Sequence, residues 1–200
     1  AVEAGIYKYG GTAPHEYIIS GFDIYFGLWD HDPQGDGGSY GDEYPYHTRA
    51  EMQAGDRPLF DLVEEFWPEY LTYNAYIDPS FEGTFVMVHD KAIEYTNKSR
   101  FLVDVTLTGD KDTSVSGNDQ DNLLTGNVGD NGFTGGAGDD VIAGVAGSDR
   151  AFFAGVASDY RIETKGAITI VTDTVDGRDG TDELTGIEVL VFHDKEVELE

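Results

Sequence analysis

The stretch GNDQDNLLT (117–125), GNVGDNGFT (126–134), GGAGDDVIA (135–143) and GVAGSDRAF (144–152) repeats one nine-residue unit four times, opening each time on a glycine. The third unit fits the pattern G-G-x-G-x-D-x-U-x, with U a large apolar residue, at every fixed position. Mechanically, the Gly-rich first six residues make a turn that needs positive φ angles and lets carbonyls point inward. The last three extend as a short strand whose eighth-position side chain faces a core. Those core positions hold Leu124, Phe133, Ile142 and Ala151, with Val115 in register from a degraded preceding unit. Two units close one coil of eighteen residues, so each turn stacks on the turn eighteen residues later, about 4.8 Å away as paired strands are.

That stacking brings Asn122 over Asp140 and Asn131 over Asp149, with loop carbonyls nearby. An all-oxygen cage of six or more ligands suits Ca²⁺ better than Mg²⁺ or Zn²⁺. On these residues, roughly 105–152, the chain resembles the RTX, or haemolysin-type, calcium-binding proteins that bacteria secrete. The resemblance implies that sixth-position side chains and loop carbonyls bind calcium. The side chains are Asn122, Asn131, Asp140 and Asp149; the loop residues are Gly117, Asp119, Gly126 and Gly129, then Gly135, Gly138, Gly144 and Gly147. The match is clean at Asp140 and Asp149, whereas Asn122 and Asn131 lack the charge, and Gln120 and Val145 depart from the glycine pattern. Calcium is expected to complete the fold by binding only the folded form. The competing reading is the same stacked array without metal, or a flexible glycine-rich linker.

Downstream, Tyr160 and Ile162 alternate with polar residues, as do Ile168 and Ile170, which predicts a hairpin around Lys165-Gly166. The run DGRDGTDELTGIEVLVFHD (176–194) resembles the segment that closes RTX arrays, covering their open apolar end. Asp173, just ahead of it, and its acids Asp176, Asp179 and Asp182 read either as a further calcium site or as a solvated acidic turn.

Composition narrows the partners. The 200 residues carry 12 basic and 39 acidic side chains, a net charge of −27, which disfavours nucleic acid and anionic membrane surfaces. Such self-repulsion points to a cation-rich medium outside the cell. Cysteine is absent, so there are neither disulfides nor thiolate metal sites. No run approaches the roughly 20 apolar residues of a membrane helix. The chain starts AVEAG, without initiator Met or signal peptide, and reads as the back part of something longer.

Residues 1–104 differ in texture, holding 11 of the 12 Tyr and both Trp. HEYIISGFDIYFGLW (15–29) after Pro14 predicts a helix that buries Ile18, Ile19, Phe22, Phe26 and Trp29. A second helix is predicted over 58–66, ending before Pro68, with strands at GTFVMVHD (83–90) and RFLVDVTLT (100–108). DHDPQGDGGSYGDE (30–43) partly fits an EF-hand loop: Asp30 and Asp32 match, Gln34 supplies an oxygen, and Gly41 stands where the bidentate Glu belongs. It reads as a calcium loop or as an exposed acidic loop.

The run P-H-E-Y-x-x-S-x-F-x-x-Y-F resembles the helix of gluzincin metallopeptidases that donates a glutamate to zinc, which implies Glu16 as that ligand. The H-E-x-x-H such enzymes need is missing from the chain, so the His pair would belong to an upstream catalytic segment. Otherwise Glu16 is a surface carboxylate at a helix N-terminus.

The expected fold class is an α+β region (1–104), a parallel β-roll or β-solenoid (105–156) and a C-terminal β cap (157–200) with a β-hairpin. The expected function is calcium binding by a secreted bacterial protein, the parent being an extracellular zinc peptidase-like hydrolase. The alternative is a structural, adhesive or self-associating protein without catalysis.

Overall fold

A computed structural model describes residues 13–28, 44–90, 92, 93, 96 and 99–199. The chain divides into two compact units, Ala1–Leu71 with His89–Phe101, and Thr72–Val88 with Leu102–Glu200.

The first unit holds the three α-helices found among the described residues: α1 (Ala13–Tyr25), α2 (Arg49–Gly55) and α3 (Arg57–Phe66). α2 starts where Thr48 accepts a hydrogen bond from the Glu51 amide while the Glu51 carboxylate accepts one from the His47 amide (2.9 Å). α3 has Asp56 as N-cap and Pro in its first turn, and ends at Trp67 before Pro68. Their core is Ile24, Tyr25, Phe26, Tyr44, Met52, Leu59, Phe60 and Val63. The expected buried stripe of α1 is rotated. Ile18 and Ile19 are exposed and Phe22 is half-buried, because Ser20, Gly21, Ile24 and Tyr25 take the inner face. Leu59 explains the turn of the helix: a Cβ at Gly21 would stand 2.4 Å from its Cδ2. Of the expected stripe only Phe26 is buried, and Trp29 lies outside the described residues. None of these helices is long and apolar enough to cross a membrane.

The second unit is built on strands β1 (Leu71–Ile77), β2 (Gly83–Val86), β3 (Leu102–Leu107), β4 (Thr113–Ser116), β5 (Leu123–Thr125), β6 (Gly132–Thr134), β7 (Val141–Ala143) and β8 (Arg150–Phe152). It continues with β9 (Tyr160–Lys165), β10 (Ile168–Asp173), β11 (Thr181–Thr185), β12 (Val189–Val191) and β13 (Glu196–Glu198). They form a seven-stranded sheet in the order β1-β3-β5-β7-β11-β10-β9 and a six-stranded sheet in the order β13-β12-β8-β6-β4-β2.

This corrects the expected fold class. Instead of an α+β region followed by a parallel β-roll with a β-hairpin cap, the described residues form three α-helices and two mixed, mostly parallel sheets. Strands from all three expected segments belong to the same sheets. The parallel ladders run past the repeat at both ends: β3 pairs with β5 and β2 with β4 ahead of it, β11 with β7 and β12 with β8 behind it. The sheets are mixed because β9–β10–β11 and β12–β13 are antiparallel. The physical reason is edge cover. A ladder ending at the repeat would expose a row of unpaired amides and carbonyls, and the flanking strands take up those hydrogen bonds.

Within the repeat the register is eighteen residues, with Leu124 opposite Ile142, Val115 opposite Phe133, and Phe133 opposite Ala151. One interior column stacks Val105, Leu124, Ile142 and Leu184; the other stacks Val115, Phe133, Ala151 and Leu190. All eight are at most 1% exposed. The eighth-position residues therefore point inward as their spacing predicts.

Candidate metal centre

The turns of the four units fall into two kinds, distinguished by their second and sixth residues. In the first two, asparagine occupies both positions and the amides close on one another. The Asn118 amide donates to Asn122 Oδ1 (2.9 Å), and Asn122 Nδ2 donates back to Asn118 Oδ1 (3.0 Å). Asn118 Oδ1 also accepts from the Gln120 amide, and Asn118 Nδ2 reaches the Leu102 carbonyl (2.8 Å). The second unit copies this. The Asn127 amide donates to Asn131 Oδ1 (2.8 Å), and Asn131 Nδ2 returns to Asn127 Oδ1 (3.0 Å) and reaches the Thr113 carbonyl (3.0 Å). All four asparagines are buried, and both polar atoms of each side chain are bonded.

The third and fourth units differ in backbone and in charge. Gly136, Gly138, Val145 and Gly147 all have positive φ, at 109°, 119°, 80° and 117°. No side chain from the second position fills these turns. Their sixth residues are Asp140 and Asp149, 1% and 0% exposed. Oδ1 of Asp140 accepts the Asn122 amide and Oδ1 of Asp149 the Asn131 amide, each at 2.8 Å across eighteen residues. The other oxygen of each carboxylate, Oδ2, is buried and accepts no hydrogen bond.

Both free oxygens face the opening glycine of their own unit: a Cβ would stand 2.0 Å from Asp140 Oδ2 at Gly135 and 2.3 Å from Asp149 Oδ2 at Gly144. Carbonyls crowd the same turns. A Cβ at Gly136 would meet the Asn118 carbonyl at 2.1 Å, one at Gly144 the Gly186 carbonyl at 2.0 Å, and one at Gly147 the Gly129 carbonyl at 2.4 Å. Glycine is required here by close approach as well as by φ.

Two further acids stand over these turns: Asp182, one of the closing-segment acids expected as a further calcium site, and Glu188, which the sequence reading missed. The Asp140 amide donates to Asp182 Oδ1 (3.1 Å), and the Asp149 amide to Glu188 Oε2 (2.7 Å). Asp182 arrives because GRDGTDELT (177–185) is a further copy of the nine-residue unit, G-x-x-G-x-D-x-L-x, with Leu184 placed opposite Ile142. The hairpin of β9 and β10, with Gly166 at its tip, separates this copy from the other four and breaks the nine-residue period. Burial above all, together with neighbouring acids, pushes Asp140 up to about 7, Asp149 to about 6 and Asp182 to about 8.

The other expected ligands are placed less favourably. Asp119 is exposed and takes a hydrogen bond from Gln120 Nε2 (2.7 Å), away from the turn interior. Gly117, Gly126, Gly129, Gly135, Gly138, Gly144 and Gly147 lie in the stacked turns as expected. Asp173 is held by Arg178, whose Nε and Nη2 reach its two oxygens at 2.6 Å each. Asp179 accepts from the Tyr160 hydroxyl and the Ala154 amide. These two acids are thus satisfied by protein groups, and the closing segment contributes Asp182 instead. Asp30, Asp32 and Gln34 lie outside the described residues, as does the side chain of Glu16 on α1.

Among the described residues no three His, Cys, Asp or Glu side chains gather into a metal-binding group. A cation at Asp140 or Asp149 would therefore draw on carbonyl oxygens with one carboxylate oxygen, a hard donor set that fits Ca²⁺ and not Zn²⁺. Compared with known proteins, the chain matches no family model and no curated protein.

Proposed function

We propose that this chain is an extracellular calcium-binding protein of the RTX kind, in which calcium taken up at Asp140 and Asp149 completes and stabilises the fold. One observation carries the reading: each aspartate buries a carboxylate oxygen that no protein group satisfies, in a turn crowded with carbonyls. A buried charge without a partner is expensive, and a buried charge beside carbonyl oxygens becomes favourable when a divalent cation joins them. The net charge of −27 acts in the same direction, since a cation-rich exterior relieves it.

Because the folded turns bind the ion and the open chain does not, stability rises with free calcium, by about 2.7 kcal/mol per site at a hundred times the dissociation constant. Low cytosolic calcium leaves the turns of Asp140 and Asp149 loose, and millimolar calcium outside the cell locks them. Circular dichroism and thermal melting of the 200-residue chain test the reading, in excess EDTA, in Mg²⁺ and in millimolar Ca²⁺. A melting point raised by Ca²⁺ and much less by Mg²⁺ is expected. Identical curves in EDTA and Ca²⁺ would refute it.

A further inference from the structure

We infer that the repeat is loaded with cations at one end only: the turns of Asp140 and Asp149 take one ion each, while the Asn118–Asn122 and Asn127–Asn131 turns are permanently metal-free, closed by their own amides. This rests on the calcium reading above and adds the location and number of the sites, with asparagine pairs acting as built-in substitutes for the ion.

The two kinds of turn differ in three independent respects that change together. Where the second residue is Asn118 or Asn127, its side chain occupies the turn and its Oδ1 accepts two hydrogen bonds, one from the fourth-position amide. Where the second residue is Gly136 or Val145, the backbone swings to positive φ and no side chain enters. The sixth residue follows: Asn122 and Asn131 have both amide atoms bonded, whereas Asp140 and Asp149 each retain one buried, unbonded oxygen.

An amide supplies a donor and an acceptor, so two of them satisfy each other and the surrounding carbonyls. A carboxylate supplies acceptors only, and beyond the one amide that Oδ1 accepts, its second oxygen, among carbonyls, finds no donor. The first arrangement is complete without a cation; the second is completed by one. Position along the stack agrees. The loaded turns are those overlaid by the acids of the closing segment, Asp182 above Asp140 and Glu188 above Asp149. The metal-free turns are overlaid only by the loaded ones.

The design has a physical use. The end of the array nearest β3 and β4 is held by hydrogen bonds at any calcium concentration, leaving a seed on which the calcium-dependent half orders.

Equilibrium dialysis with radioactive Ca²⁺ on the full 200-residue chain, at about 0.15 M salt to screen diffuse surface binding, gives the number of saturable sites. Two sites are expected, falling to one in Asp140→Asn and in Asp149→Asn, and unchanged in Asn122→Ala and Asn131→Ala. Three or four sites in the native chain, or loss of a site in either alanine variant, would overturn the one-ended loading while leaving calcium binding intact. No saturable site at all would overturn both. Side-chain amide NMR gives a second readout that does not depend on variants folding. The Nδ2 protons of Asn122 and Asn131 are expected to be slow to exchange in EDTA and in Ca²⁺ alike, and fast exchange in EDTA would overturn the inference.

Discussion

The amide of Asn122 donates to Oδ1 of Asp140 at 2.8 Å, so the carboxylate is anchored by one oxygen and leaves the other, buried, without a donor. That half-satisfied state makes the calcium-free protein sensitive to pH. Burial raises the folded-state values of Asp140, Asp149 and Asp182 to about 7, 6 and 8, above the ordinary carboxylate value near 4. Groups raised in this direction contribute stability fully below about pH 4, and that contribution is lost as pH rises through 6 to 8. In EDTA the melting point is therefore expected to be higher at pH 5 than at pH 8. A carboxylate held about two pH units above its ordinary value corresponds to about 2.7 kcal/mol, or roughly 5–10 °C for a chain of this length. Calcium, which holds the ionised form, should stabilise more at pH 8 than at pH 5. Thermal melts at the two pH values with and without calcium check both signs.

Replacing Asp140 by Asn separates the cost of the charge from the use of it. The substituted side chain keeps an oxygen for the Asn122 amide and puts a donor, facing carbonyls, where the unsatisfied oxygen stood. Calcium-free stability should rise by roughly 1–3 kcal/mol, the cost of a buried unpaired polar atom, while the gain on adding calcium shrinks. Urea unfolding in EDTA and in Ca²⁺ checks the two opposite movements; a fall in both would contradict the account.

How far the sequence foretells this arrangement depends on whether a signal is local and periodic. Val115, Leu124, Phe133, Ile142 and Ala151 are placed correctly because a fixed nine-residue step leaves one side chain per strand facing inward. The hairpin at Lys165-Gly166 is legible from alternation, and the end of α3 from Pro68. The extent of the sheets is not, because β2 and β11 join them over distances no period marks: Phe85 lies opposite Val115, and Leu184 opposite Ile142. α2 is only seven residues, too short to display a face. In α1 the pattern of large side chains misleads, since the inward face is set by Gly21 yielding room to Leu59. Of the site, Asp140 and Asp149 are legible and Asp182 is legible as an acid of the closing segment, whereas its place over Asp140, and that of Glu188 over Asp149, are hidden behind the interposed hairpin.

Phe133 is the largest side chain in its interior column and is fully buried. Phe133→Ala should cost about 3–5 kcal/mol, with and without calcium, through the cavity it leaves. Leu123, on the outer face of β5 and 40% exposed, provides the contrast: Leu123→Ser should change stability by about 0.5 kcal/mol or less. Chemical denaturation of the two variants checks whether inward and outward positions are assigned correctly.

In the helical unit, Asp56 joins three elements. Its Oδ2 accepts the hydroxyls of Tyr17 (2.7 Å) and Tyr44 (3.1 Å), and its Oδ1 faces the Leu59 amide as the N-cap of α3. Asp56→Ala removes the cap, at about 0.5–2 kcal/mol, and leaves the buried Tyr44 hydroxyl without this acceptor, at about 1–3 kcal/mol more. Loss of α3 helicity by circular dichroism at elevated temperature should precede loss of the sheets in this variant.

Val145 is the one non-glycine residue with positive φ among the described residues, at 80°, and it is exposed. A β-branched side chain in that region is strained by about 1–2 kcal/mol, and no packing offsets the strain. Glycine removes the clash at the cost of some added freedom in the unfolded chain, about 0.5–1 kcal/mol. Val145→Gly, which turns GVAG into GGAG, is therefore expected to stabilise the protein by about 0.5–1 kcal/mol. It should also tighten calcium at Asp149, because the turn no longer resists the conformation in which that carboxylate faces the carbonyls. Melting in EDTA reads the first effect and calcium titration the second. A lower melting point in EDTA would mean that the valine is doing something in this turn beyond enduring its geometry.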